Sequence, residues 1–241
     1  MGVKRVLVTR PEPGAAATAR RLSGLGCEAV LLPLTATRAV GIAAVPDARR
    51  FDAVAVTSSA ALRHAPAPLL RAFAHLRLFA VGDRTAAAAR QAGFGQVESA
   101  GGGASELAAR IAGSLPPAAR VAYLCGRVRT GALAARLAAA GFEAAVVETY
   151  DTVAVERTPA ETAAALGGRP FDAVLLHSAN AAGLFPRLLG RPETGRLLEA
   201  ARLLCISART AAALSPSLRP SAEIAARPDE AALLALLAAA G

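Results

Sequence analysis

The chain of 241 residues repeats itself. Val121–Leu124 lies 115 positions after Val6–Thr9, and Gly141 followed by Glu143-Ala144 stands at the same offset from Gly26 followed by Glu28-Ala29. Phe171-Asp172-Ala173-Val174 copies Phe51-Asp52-Ala53-Val54 at an offset of 120. Arg209-Thr210-Ala211-Ala212-Ala213 copies Arg84-Thr85-Ala86-Ala87-Ala88 at 125, so the offset grows as loops gain residues. Ser178 answers Ser58 in the same way. An internal duplication on this scale constrains the fold more than any single motif, because it implies two similar lobes that present similar loops.

Within each copy, short β-branched runs alternate with Ala-rich stretches. Val6–Thr9 reads as a strand, Pro11 and Gly14 as a turn, Ala15–Leu25 as a helix stopped by Gly26, and Ala29–Leu32 as the next strand. Phe51–Val56 and Leu78–Val81 are further strands. Thr57-Ser58-Ser59 suits the cap of a helix beginning at Ala60, Thr85 opens a helix running to Gly93, and Ser105-Glu106 starts one that Pro116-Pro117 ends. Strands alternating with helices of about ten residues predict an α/β fold of doubly wound parallel sheets, in which ligands sit beyond the carboxyl ends of strands. Two segments depart from this pattern. Thr35–Val40 and, 115 positions on, Tyr150–Val155 read as extended, largely solvated crossings between the lobes.

Bulk properties exclude several classes. Aromatics make up 4% of the chain and Trp is absent, which removes the stacking platforms of single-strand nucleic-acid binders. The formal charge is +9, yet Lys4 is the only lysine among 27 basic residues, and these are scattered without a run. That weakens the nucleic-acid and lipid-surface readings and leaves a small acidic substrate equally open beside them. Cys27, Cys125 and Cys205 lie far apart in or beside apolar strands, so they read as core residues and offer neither a disulfide framework nor a CxxC site. His64, His75 and His177 share no ligand spacing, and no metal is expected. The N-terminus lacks the apolar run of a signal peptide, and the last apolar run, Ala231–Ala240, is too short to span a bilayer. A cytoplasmic protein follows as the expectation.

The candidate binding residues stand at strand ends. They are Arg10; Thr57, Ser58 and Ser59; Gly82, Arg84 and Thr85; Gly126 and Arg127; Ser178, Ala179 and Asn180; and Ser207 and Thr210. Most also stand at predicted helix starts, whose unpaired N–H groups suit carboxylates and phosphates alike, although each hydroxyl also serves as a simple cap. Gly101-Gly102-Gly103 lacks the spacing of a phosphate loop and reads as a flexible connection. Tyr150, one of two tyrosines, is the candidate catalytic group, with strand packing as the alternative.

Taken together, Val8-Thr9-Arg10-Pro11, Phe51–Val54 running into Thr57-Ser58-Ser59-Ala60, Ala80-Val81-Gly82 with Thr85-Ala86, and Thr149-Tyr150-Asp151-Thr152-Val153 resemble the uroporphyrinogen-III synthase family over nearly the whole chain. Two places depart from its pattern: Ser207 stands where a Gly resembling Gly82 is common, and His177-Ser178-Ala179 replaces a Phe/Ser/Pro-like stretch. The resemblance implies two flavodoxin-like lobes, one of residues 1–35 with 153–241 and one of 36–152, joined by a two-stranded ribbon near 35–40 and 149–155. A tandem pairing of the halves fits the duplication equally well. It further implies a monomer that closes hydroxymethylbilane, a linear tetrapyrrole with eight carboxylates, and inverts its last pyrrole. No cofactor is implied. The hydroxyl leaves, the azafulvene is attacked by the substituted carbon of the last ring, and a spiro intermediate fragments and re-closes. Positioning then matters more than strong acid–base chemistry. Two other classes remain: a ligand-sensing module of the same fold, which would carry an appended DNA-binding segment, and an exported two-lobed solute-binding protein.

Overall fold

The computed structural model describes residues 3–238. Its strands are, in chain order, β1 (Arg5–Val8), β2 (Glu28–Leu31), β3 (Thr35–Ala39), β4 (Ala53–Val56), β5 (Arg77–Ala80), β6 (Val97–Ser99), β7 (Arg120–Gly126), β8 (Glu143–Ala154), β9 (Ala173–Leu176), β10 (Arg202–Cys205) and β11 (Ala222–Ile224). The chain divides into two compact units, one of residues 1–36 and 153–241, the other of 37–152. In the first, a parallel sheet runs β2-β1-β9-β10-β11. The second has the parallel order β8-β7-β4-β5-β6, with β3 added beside β8. Strand for strand the two orders correspond. Each sheet carries the opening strand-helix-strand of one repeat beside the remaining strands of the other.

Parallel strands covered on both faces must be apolar on both, and these are. On β1, Leu7 joins one core cluster while Val6 and Val8 join the other; on β4, Val54 and Val56 face one cluster and Ala53 and Ala55 the opposite one. All seven side chains are fully buried. The strict alternation is the period of two expected of a pleated strand.

The copied Phe-Asp pair has a structural purpose. Asp172 accepts from the backbone N–H of Arg5 at 2.6 Å, and Asp52 accepts from that of Arg120 at 2.7 Å. In each unit the Arg guanidinium lies over the copied ring, Arg5 on Phe171 and Arg120 on Phe51, and donates to a glutamate of the next strand, Glu28 or Glu143. Arg5, buried, also donates to the carbonyls of Leu166 and Arg169, which satisfies a charge that would otherwise be costly. These clusters staple the amino ends of the strands. The carboxyl ends are left for ligands.

Several local expectations change. The helix expected at Thr85 begins at Asp83, capped by Gly82, and that expected at Ala60 begins at Ser59, with Ser58 as cap. Helices are shorter than ten residues in most cases, because Pro and Gly interrupt them. Gly101-Gly102-Gly103 is not merely a flexible connection: Gly101 has φ +69°, a Cβ on Gly102 would lie 2.7 Å from the Glu106 side chain, and the Gly103 N–H donates to Glu106. Cys27 is only half-buried, outside β2, whereas Cys125 and Cys205 are core residues. The second crossing is no separate solvated segment. Its residues Tyr150–Ala154 form the distal end of the twelve-residue β8, extended as expected and half-buried up to the exposed Ala154.

Candidate active site

In a doubly wound sheet the crevice forms where strand order reverses, between β7 and β4 in the second unit and between β1 and β9 in the first. At the carboxyl ends of β4 and β7, beside the middle of β8, there is a pocket of about 250 Å³, lined among others by Thr57, Tyr123, Cys125, Gly126, Arg129 and Tyr150. Its volume accommodates about one substituted pyrrole, below the usual range for a whole drug-sized ligand.

Tyr150 enters this pocket through an irregularity. Cys125 pairs with Glu148 but Gly126 pairs with Tyr150, so β8 bulges by one residue at Thr149. A bulge re-aims the side chains that follow it. Thr149 anchors the bulge by donating to the Ala61 carbonyl at 2.8 Å, and Tyr150 accepts from the Arg127 N–H at 2.8 Å through its own carbonyl. The Tyr150 ring then lies against Gly126, where a Cβ would be 2.6 Å from its Cζ. His64 stacks on it with centroids 6.1 Å apart, and the His64 Nε2 meets Thr37 Oγ1 at 2.9 Å. Burial, then the nearby Arg63, lowers the His64 pKa, which keeps that imidazole neutral. The Tyr150 hydroxyl has no hydrogen-bond partner among the described residues.

Around it the charges are paired. Arg129 donates to the Gly126 and Arg127 carbonyls and to Glu148 at 2.6 Å, and Arg127 reaches Glu148 at 3.2 Å. Arg129 first, then Arg127, holds the Glu148 carboxyl below its ordinary pKa. The loop after β7 is thus shaped by Arg129.

The first unit presents a different constellation at its switch point. Arg10, after β1, lies over Gly14 and pairs with Glu230 at 3.4 Å, and Thr18 and Arg21 also bind that carboxylate. His177, after β9, stands 3.9 Å from Glu230 with its side chain 5% exposed, and neither ring nitrogen meets the geometry of a hydrogen bond among the described residues. Burial, reinforced by Arg10, pushes its pKa down to about 3. Between pH 6.5 and 3 the unfolded chain therefore binds a proton that the folded chain refuses, and stability falls as pH falls through that window. His177→Leu should flatten the loss of unfolding free energy between pH 6.5 and 5, above the carboxylate range, by at most about 1.4 kcal/mol per pH unit, read from denaturant unfolding at each pH. Equal pH slopes for variant and parent would place the effect elsewhere.

Thr57, Ser58, Gly126 and Tyr150 of the expected set come together in one pocket; Ser59, Gly82, Arg84, Thr85 and Arg127 do not line it. Arg84 is exposed. Ser178 caps the helix Ala179–Leu184 by accepting from the Ala181 N–H, and Asn180 is exposed. Thr85 and Thr210, expected at helix starts as carboxylate receivers, lie deeper in their helices than expected. Both are buried third residues of their helices, and their N–H groups are already spent, that of Thr85 on the Gly82 carbonyl and that of Thr210 on Ser207 Oγ. Asp83 also places an acid in the first turn where an anion would sit. Thr85→Asp or Thr210→Asp should therefore cost more than about 2 kcal/mol of stability, read as a lowered melting temperature, because a carboxylate is buried unpaired. A folded variant with weakened substrate affinity alone would restore the receiver role.

The uroporphyrinogen-III synthase HemD family model matches residues 16–235. The chain belongs to the uroporphyrinogen-III synthase family. It is accordingly an enzyme of tetrapyrrole biosynthesis, a cyclising lyase acting on a small tetrapyrrole substrate. No curated protein sequence matches it. Among solved structures, a uroporphyrinogen-III synthetase from Helicobacter pylori matches with a TM-score of 0.68 at 18% identity, over 98% of this chain and 99% of that one. A mutant uroporphyrinogen III synthase from Thermus thermophilus matches with a TM-score of 0.53 at 20% identity, over 98% of each chain. At such identities these likenesses speak to the fold. Among the described residues no helix is long and apolar enough to cross a membrane, and no group of three His, Cys, Asp or Glu is placed to hold a metal ion.

Tyr123 and Arg129, which line the pocket, and His64, which stacks on Tyr150 beside it, were not among the expected site residues. Tyr123 sits inside an apolar strand, His64 closes a helix, and Arg129 is one arginine among many. Only their positions, three residues before and three residues after Gly126, signal that Tyr123 and Arg129 lie near a strand end.

Proposed function

We propose that the chain converts hydroxymethylbilane to uroporphyrinogen III, with Tyr150 assisting departure of the hydroxyl. The observation that carries this reading is the phenol, unpartnered among the described residues, in a pocket of hydroxyls at the carboxyl ends of β4 and β7. The phenol donates a hydrogen bond or proton to the leaving oxygen, the C–O bond breaks with the electron pair going to water, and the pyrrole nitrogen supplies the pair that forms the azafulvene. The substituted carbon of the last ring then closes on it, and the spiro intermediate fragments and re-closes. A pocket sized for about one ring suits holding that ring while its less obvious carbon is presented, which is positional catalysis. The net positive chain and its strand-end hydroxyls suit a substrate with many carboxylates. The enzyme acts as a cytoplasmic monomer without a cofactor; its free cysteines, two of them buried, support a reducing compartment.

Purified protein, treated with chelator and given freshly generated hydroxymethylbilane, should yield isomer III faster than the spontaneous closure yields isomer I. Isomer I alone, at the spontaneous rate, would reject the enzyme reading in favour of a ligand-sensing module.

A further inference from the structure

The chain has two tyrosines, and both line the same pocket. Their environments differ. Tyr123 lies on β7 directly opposite Ala55 of β4, and the alternation of side chains puts Thr57, two residues beyond Ala55, on the same face. Ala53 and Ala55 share its cluster, and their small side chains leave room for the ring. The ring is 4% exposed, and its hydroxyl meets Thr57 Oγ1 at 3.0 Å. Burial raises the Tyr123 pKa, with the Thr57 bond acting the other way, so the phenol keeps its proton throughout the neutral range.

A buried phenol needs a partner, and an aliphatic hydroxyl is the better acceptor of the two while the phenol is the better donor. With Tyr123 donating, the Thr57 proton is released to point into the pocket. Thr57 itself is half-buried and lines the cavity on whose wall Tyr150 also stands.

We propose that Tyr123 is a positioning residue for the ring-inverting cyclisation: it holds the Thr57 hydroxyl as a fixed donor toward a carboxylate of the substrate ring and so sets that ring opposite Tyr150. This rests on the proposed cyclisation of hydroxymethylbilane. A loosened ring lets the activated intermediate close by its spontaneous route, so the loss appears in the isomer formed as well as in the rate.

The test is a set of variants, Tyr123→Phe, Thr57→Val, Thr57→Ser and the Tyr123→Phe/Thr57→Val double, assayed for KM, kcat and the share of isomer III. Tyr123→Phe and Thr57→Val should each lower kcat/KM about three- to thirtyfold, mostly through KM, and raise the share of isomer I. Thr57→Ser, which keeps the oxygen, should retain most of the parent's selectivity. The double should be within about twofold of Thr57→Val, because Tyr123 acts through Thr57. Parental KM and isomer share in Tyr123→Phe, or losses that multiply in the double, would overturn the proposal. Should Tyr123→Phe fail to fold, the comparison of Thr57→Val with Thr57→Ser decides, and equal behaviour of the two counts against it. A parent that forms no isomer III defeats the cyclisation itself, an outcome separate from these.

Discussion

Tyr150→Phe should lower turnover roughly ten- to a thousandfold while leaving the melting temperature nearly unchanged. Both halves of this expectation come from the pocket. The Tyr150 hydroxyl makes no hydrogen bond to a described residue, so its removal orphans no donor or acceptor in the fold. The ring, which phenylalanine keeps, supplies the contacts with Gly126 and His64. A phenol is a weak acid at neutral pH, so its help to a departing hydroxyl lies within or below the ordinary range for general acids. Stopped-flow or quenched-flow turnover of fresh hydroxymethylbilane, with thermal unfolding of the same sample, gives both readings. Full turnover in the variant would exclude proton donation and leave Tyr150 with its packing role alone.

The duplication makes much of the fold legible in the sequence. Phe51-Asp52 and Phe171-Asp172 recur because each Asp accepts the first N–H of a neighbouring strand and each Phe lies under that residue's guanidinium. The strand runs were readable because a strand buried on both faces is apolar throughout. Helix starts were less so. Thr85 and Thr210 resemble caps, but Gly82 and Ser207 cap first, and a threonine at the third helical position looks the same in sequence as one at the start. The pocket was half legible. Thr57, Ser58, Gly126 and Tyr150 follow from strand ends, whereas Tyr123 is hidden inside a strand, since only the register of β7 against β4 brings its hydroxyl to Thr57. The bulge at Thr149 has no sequence signature. Without it, alternation along β8 would aim Tyr150 elsewhere.

Gly126→Ala should be nearly as damaging to turnover as loss of the Tyr150 hydroxyl. Gly126 is buried and its backbone does not adopt a positive φ, so the substitution brings no backbone strain; its effect is contact alone. The added methyl would lie 2.6 Å from Tyr150 Cζ, 2.9 Å from Cε2 and 3.0 Å from the hydroxyl. A ring at the end of a side chain can yield, but here the bulge fixes Tyr150 opposite Gly126 and His64 stacks on the ring. The phenol must shift by something near 1 Å, a displacement that costs roughly a hundredfold where orientation carries catalysis. Overpacking should cost about 1–3 kcal/mol of stability besides. If the rate loss arises from a misplaced phenol, adding Tyr150→Phe to Gly126→Ala should slow the enzyme little further, whereas independent effects would multiply. Gly126→Ala with parental turnover would mean that the position of the Tyr150 hydroxyl is irrelevant to the reaction, and would weigh against its role as donor even if Tyr150→Phe proved slow.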